Sequence, residues 1–272
     1  MLRNPKTALA AAVAAAAAAC TTLDRGEPSQ VRVLPASEVE WQLLNPLRGD
    51  ASPGAGTLWG DRGAPVPCGF LAKFVDGFSS PPHIHPVTYR AVVIRGLVHN
   101  DDPDAEDEWL PSGSYWTQPG GEVHITAAQG SENVAYVEIE RGPYLVKPAA
   151  ESFDPTEAPV KLRPEAMEWR SLAEGAEVAP LTGNPGDDAL TRSMVRLADG
   201  FTGVLRAEGG ALHAVVVTGR WVHSVDDLSE SATLEPGSYF GSDGRVAHRI
   251  TCTGEPCLLY VRTDGAFEVD AE

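Results

Sequence analysis

Pro81-Pro82-His83-Ile84-His85 and Gly113-Ser114-Tyr115-Trp116-Thr117-Gln118-Pro119-Gly120-Gly121-Glu122-Val123-His124 decide how this chain is read. His83 and His85 are two residues apart. On a strand, successive side chains alternate, so both imidazoles project from one face. Two imidazoles on one face can share a metal ion. The second stretch reads as a strand, a Pro/Gly turn and a new strand that opens with His124. Three neutral imidazoles with open coordination positions make a reactive metal site.

These residues resemble the two signature motifs of the cupin superfamily. The first has the form H-x-H, then three or four residues, then Glu, then about six residues, then Gly. His83, His85 and Gly96 match it, while Tyr89 or Arg90 stands in the Glu slot. The second, G-x5-P-x-G-x2-H, is met at every fixed position by Gly113, Pro119, Gly121 and His124. The surroundings (Thr57 to Arg62, Phe78 to His83, His99 to Asp102, Trp116 to Pro119) are similar to a bacterial bicupin family known as a domain of unknown function. The resemblance implies an all-β fold of two tandem jelly rolls, also called double-stranded β-helices. It also implies one divalent transition metal per chain, held by His83, His85 and His124. Iron, zinc, manganese and nickel all suit imidazole, iron and zinc foremost.

An internal repeat sets the domain plan. Asp76-Gly77-Phe78 recurs as Asp199-Gly200-Phe201, Gly96 as Gly219, and Leu58 and Gly60 as Leu181 and Gly183, all shifted by 123. Gly113-Ser114-Tyr115 recurs as Gly237-Ser238-Tyr239, and His124 as His248, shifted by 124. Two copies of one module are expected, over 36–148 and 164–272, joined by a Pro- and Glu-rich linker over 149–163. Short runs such as Phe70 to Val75 and Val215 to Val217 alternate with Gly/Pro/Asp clusters, which is a sandwich or barrel pattern.

The copies differ chemically. The same shift places Arg206 at the position of His83, Glu208 at that of His85 and Leu212 at that of Tyr89; only His248 is kept. A guanidinium has no lone pair to give a metal. The second module is therefore expected to be degenerate and structural, unless Glu208, His213 and His248 regroup. In the first module, strand parity turns Tyr89 toward the histidines. A neutral phenol is a poor ligand, so its expected part is to donate a hydrogen bond near the metal or to face the substrate. Glu122 shares parity with His124 and is a candidate replacement ligand or an ordinary surface carboxylate. Trp59, Lys73, Trp116 and His99 are candidate pocket residues, although core packing explains the tryptophans equally well. Asp101, Asp102 and Asp104 read as a solvated turn.

The chain has 272 residues, 43% hydrophobic and 22% charged, with a net charge of −17. Such an acidic surface argues against nucleic acid and anionic lipid as partners. Arg3 and Lys6 precede an apolar run, Ala8 to Ala19, too short to span a bilayer. Residues 1–19 read as a signal peptide of lipoprotein type, with Cys20 as the lipidated residue and 20–35 as a tether. Simple cleavage before Cys20 is the alternative. Export to the periplasm or outer envelope puts the remaining cysteines in an oxidising compartment. Cys252 and Cys257, flanking the turn Thr253-Gly254-Glu255-Pro256, are then a candidate disulfide. Contact with a membrane is expected only through the lipid; a homodimer is one candidate assembly, and the sequence does not name the oligomeric state.

A site of three neutral imidazoles keeps the full charge of a divalent ion and so favours a small, anionic ligand. Superfamily members with such sites include iron-dependent dioxygenases. A metal-dependent dioxygenase is the first functional expectation. A zinc hydrolase or isomerase uses the same ligands, and a non-catalytic small-molecule-binding lipoprotein is the alternative from another class.

Overall fold

The computed structural model describes residues 30–225 and 230–272. The predicted signal peptide, Cys20 and most of the predicted tether lie outside the described residues. Within them the chain runs β1 (Val31–Leu34), β2 (Trp41–Leu43), β3 (Gly54–Gly60), β4 (Cys68–Phe74), β5 (Phe78–Ser79), β6 (His83–Ile84), β7 (Tyr89–Asp101), β8 (Tyr115–Gln118), β9 (Ile125–Ile139) and β10 (Lys147–Pro148). It continues through β11 (Val160–Leu162), β12 (Arg170–Ala173), β13 (Ala176–Thr182), β14 (Leu190–Leu197), β15 (Thr202–Ala207), β16 (Ala211–Val225), β17 (Ala232–Leu234), β18 (Tyr239–Asp243), β19 (His248–Asp264) and β20 (Phe267–Ala271). Helix is confined to four short 3-10 turns among the described residues.

The fold is all-β, as the motifs imply. One antiparallel sheet has the order β11-β8-β7-β9-β4-β3-β2, with β5 added to β9. The other has the order β1-β18-β16-β19-β14-β13-β12, with β15 and β17 attached to β19 and β16. The sheets also trade edge strands. β1 precedes the first jelly roll yet pairs with β18 of the second, Val31 opposite Ser242 and Leu34 opposite Tyr239. β11 lies in the segment between the modules yet pairs with β8 of the first, Val160 opposite Thr117. Residues 31–34 of the predicted tether and 160–162 of the predicted linker are thus working strands. The reason is physical: an open sheet edge carries unpaired N–H and C=O groups, and each module covers the other's edge.

Strand alternation divides the side chains between three cores. On β7, Tyr89, Ala91 and Val93 face the first barrel's interior, while Val92 and Ile94 face the second module. On β16, Leu212, Ala214 and Val216 face inward, and Val215 and Val217 return the contact. The barrels differ in filling. A cross-strand row Ala55–Ala72–Ala135–Val93 lines the first interior. The corresponding row in the second is Val178–Val195–Leu259–Val216. Three alanines leave room; two valines and a leucine occupy it. The first barrel accordingly holds a cavity of about 1220 Å³, which opens toward the residues before β3 and after β9.

Cys252 and Cys257 are disulfide-bonded across a bend in β19, with Cα atoms 5.8 Å apart. Cys68 is a buried free thiol. Burial pushes its pKa up to about 12, so it packs as an apolar residue and is no nucleophile at neutral pH.

Candidate metal centre

His83 opens the short strand β6, and β6 is held between two neighbours. His83 and His124 exchange both backbone hydrogen bonds, N to O at 3.0 Å in each direction. On its other edge, β10 pairs Lys147 with Ile84 and Pro148 with His83. The turn before His124 closes through Gly121, whose N–H donates to the His85 carbonyl at 2.8 Å. Gly121 has φ +85°, and a Cβ there would lie 2.4 Å from the Phe153 ring. The glycine of the second motif is thus required twice, by conformation and by space.

The three imidazoles converge. One ligand nitrogen from each of His83, His85 and His124 lies within 4.8 Å of the others, and all three residues are buried. Each Nδ1 is turned to a backbone carbonyl. His83 Nδ1 is 2.9 Å from Pro81 O, His85 Nδ1 is 2.7 Å from Leu145 O, and His124 Nδ1 is 3.3 Å from Glu122 O. A carbonyl can only accept, so each Nδ1 carries the proton and each Nε2 keeps its lone pair. That tautomer is the one a metal needs. His124 Nε2 is buried and has no hydrogen-bond partner. An orphaned buried acceptor in a ring of acceptors is costly unless a cation satisfies it. Burial, and for His85 and His124 the neighbouring imidazoles, push the pKa values down, to about 3 for His85 and about 2 for His124, with His83 also lowered. The cluster is therefore neutral and ligand-ready at pH 7. These residues fit a divalent transition metal.

Tyr89 stands beside the cluster, its ring 5.1 Å from that of His85. Its hydroxyl donates to Asn100 Oδ1 at 2.8 Å. In this arrangement the proton is directed to Asn100 and not to the histidines. Burial raises its pKa to about 12, so it is not an anionic ligand. Glu122 lies outside the histidine cluster. Its carboxylate accepts from Gln118 Nε2 at 3.4 Å, and its pKa is raised, by partial burial and by Asp101 and Asp102.

Trp116 lines the cavity and packs in the first core. Trp59 does not. A β-bulge between Thr57 and Trp59 inserts an extra residue opposite β4, so Leu58 and Trp59 both face the second module. Trp59 stacks there on His213 at 3.9 Å. Lys73 is also outside, because Ala72 and Phe74 take the inward positions on β4; its ammonium lies 5.6 Å from the Trp41 ring. His99 points away from the cavity, and its Nδ1 accepts from Glu108 N–H at 3.1 Å. Asp101 pairs with Lys161, and Asp102 closes a turn onto Asp104 N–H at 2.8 Å. Tyr144 went unrecognised in the sequence. It is partly buried and packs against His85, with ring centroids 4.8 Å apart, and lines the cavity.

In the second module the equivalent positions scatter. Arg206 pairs with Glu268 and Asp270, and Glu208 with Arg245. His248 is fully enclosed between Ser242 Oγ at 2.9 Å and His223 Nε2 at 3.0 Å. His213 is bound to Tyr239 at the module interface. Among the described residues, the first-module trio is the only group of three such ligands brought together.

Solved structures share the architecture at low sequence identity. A candidate dioxygenase from Nostoc punctiforme superposes with a TM-score of 0.66 at 17% identity, covering 88% of this chain and 84% of that one. Salicylate 1,2-dioxygenase from Pseudaminobacter salicylatoxidans gives 0.60 at 13%, covering 92% and 90%. A variant of Bacillus subtilis oxalate decarboxylase gives 0.57 at 12%, covering 90% and 80%. No curated protein matches the chain. Residues 32–270 match the family described as Domain of unknown function (DUF4437). With both jelly rolls inside that match, the chain belongs to the DUF4437 family and has the double jelly-roll fold of the cupins.

Proposed function

We propose that this protein is an exported, metal-dependent bicupin that acts on a small anionic molecule in its first jelly roll, with dioxygen-dependent oxidation as the reaction class. The observation that carries the reading is the trio of Nδ1-anchored imidazoles at a cavity of about 1220 Å³. A divalent ion held by His83, His85 and His124 would supply Lewis acidity and, as iron, one-electron chemistry toward dioxygen. The chain's own residues do the rest. Phe74, Phe78 and Val137 give the cavity apolar walls. Arg48 and Arg62 outweigh Asp61 in its lining and give it a net positive charge. An anionic head with an apolar body suits that lining. One neighbour points the same way: a structure of the salicylate 1,2-dioxygenase is an adduct with gentisate.

Export rests on residues 1–19, and lipidation on Cys20. The mass of the protein isolated from its membrane fraction tests both, through a mature N-terminus at Cys20 carrying acyl chains. The functional reading is tested by elemental analysis of untagged protein, followed by oxygen uptake with a panel of aromatic and aliphatic carboxylates. About one equivalent of iron and uptake with at least one acid support it. Zinc with no uptake turns the site toward hydrolysis or isomerisation. Metal without turnover makes it a binding protein, and failure to take up any divalent ion removes the reading.

A further inference from the structure

The direction of the protons beside the histidines can be deduced from two peptide carbonyls. Gln118 Nε2 faces Pro119 O at 3.5 Å, Glu122 O at 3.4 Å and the Glu122 carboxylate at 3.4 Å. Peptide carbonyls only accept, so this end of the Gln118 amide must be its NH2. Its Oε1 therefore faces Asn100, 2.8 Å away, and calls for a donor there. That fixes Asn100 Nδ2 toward Gln118 and leaves Asn100 Oδ1 toward two hydroxyls. Tyr89 Oη and Thr126 Oγ1 each lie 2.8 Å from that oxygen. A hydroxyl has one proton, and both are spent on Asn100. What the two oxygens can still offer is lone pairs.

Both residues line the cavity. So does Trp116, whose buried Nε1 makes no well-formed hydrogen bond and lies close to the Tyr89 hydroxyl. The wall next to the metal ligands thus displays two acceptors and one N–H donor without a well-formed bond. We propose that this wall selects a hydroxyl-bearing carboxylate: the ligand's hydroxyl donates to Tyr89 or Thr126, and one of its oxygens accepts from Trp116. The proposal rests on the reading of the first jelly roll as a metal-dependent small-molecule site. It goes further in making Gln118 and Asn100 positioning residues that set what the site recognises. A wall built to accept from a hydroxyl discriminates strongly against an analogue that lacks it, because its buried oxygens are then left unpaired.

The test uses full-length, metal-loaded protein and two matched probe pairs, 2-hydroxybenzoate against 2-methoxybenzoate and glycolate against methoxyacetate. Metal content is measured before any probe is added, so failure of the metal site is seen separately. Calorimetry should show the hydroxy member binding at least about tenfold tighter in one pair. A metal ion could prefer the hydroxyl by itself, so the variants decide. In Thr126→Val and Tyr89→Phe the preference should shrink severalfold, with metal content unchanged. A preference that persists in full in both variants overturns the proposal, as does equal binding of the members, or no binding by any probe. Neutron diffraction from deuterated wild-type protein reads the same point without substitution. The Tyr89 deuteron should lie on the line to Asn100 Oδ1; a deuteron pointing into the cavity overturns the proposal.

Discussion

The carboxylate of Glu138, on β9 of the first jelly roll, meets the guanidinium of Arg192, on β14 of the second, at 2.8 Å, and each side chain is only 1% exposed. The pair is well satisfied. Tyr260 Oη donates to the carboxylate at 2.9 Å, and Arg192 reaches Glu140 at 2.8 Å. A buried pair of this kind adds little over an apolar contact, but losing one partner strands the other charge. Glu138→Ala should therefore destabilise the protein by about 3–5 kcal/mol. Urea unfolding measures it, and a loss below about 1 kcal/mol would show that Arg192 finds another partner.

His124→Ala removes one of three ligands and should leave less than a tenth of the metal bound after dialysis. Circular dichroism should remain native, since the imidazole makes no bond that another strand depends on. Full metal retention in this variant would contradict the assignment of His124.

His248→Ala should leave metal content unchanged, because its partners are Ser242 and His223 rather than ligands. It should cost stability, roughly 1–3 kcal/mol, by leaving two buried polar groups unpaired. Two metals per wild-type chain would overturn this picture of the second module.

Ala135→Leu imitates the second barrel, where Leu259 holds the equivalent place in the row. Three added carbons enter the open side of the cavity. Metal should remain, and binding of any small carboxylate should weaken at least about tenfold. Unchanged binding would place the ligand away from the β4–β9 wall.

Acid should unfold the protein early. Burial lowers the pKa of His85, His213 and His248 to about 3, of His223 to about 4 and of His124 to about 2, and lowers that of His83. Below about pH 6.5 the unfolded chain binds protons on these residues that the folded chain refuses. Stability is thus full above that pH and falls steadily as pH drops from 6.5 toward these values, each histidine adding up to about 1.4 kcal/mol per pH unit. Urea midpoints at pH 8, 7, 6 and 5 should decline below 7. Salt at 0.5 M screens the −17 net charge, whose relief would otherwise oppose the trend. A flat profile from 7 to 5 would be inconsistent with neutral buried imidazoles.

How far the sequence could be read depended on the range of the interaction. The trio was legible because the period of a strand fixes His83 and His85 on one face, and Pro119 and Gly121 deliver His124 opposite them. The openness of the first barrel went unread, because the contrast of Ala55, Ala72 and Ala135 with Val178, Val195 and Leu259 acquires meaning only once the strands are aligned in a row. Of the two readings of Trp59, pocket or core, the core one describes its place, because a single bulged residue reverses parity and no residue type announces a bulge. Tyr144 was missed because an irregular loop carries it to His85, anchored by the neighbouring Leu145 carbonyl. The exchange of β1 and β11 had no local signal, since an edge strand's choice of partner depends on which sheet lacks a neighbour.

That exchange sets an order of assembly. Val31 waits for Ser242, 211 positions later in the chain, and at about 5–20 residues per second of synthesis the wait is on the order of ten to forty seconds. Neither sheet can be completed from its own half of the gene. Separately expressed halves would each lack an edge and carry a surplus strand, so joining them noncovalently should restore what neither has alone. A module locked in this way cannot be removed without stranding a strand of the other: without β18, β1 has no sheet to join.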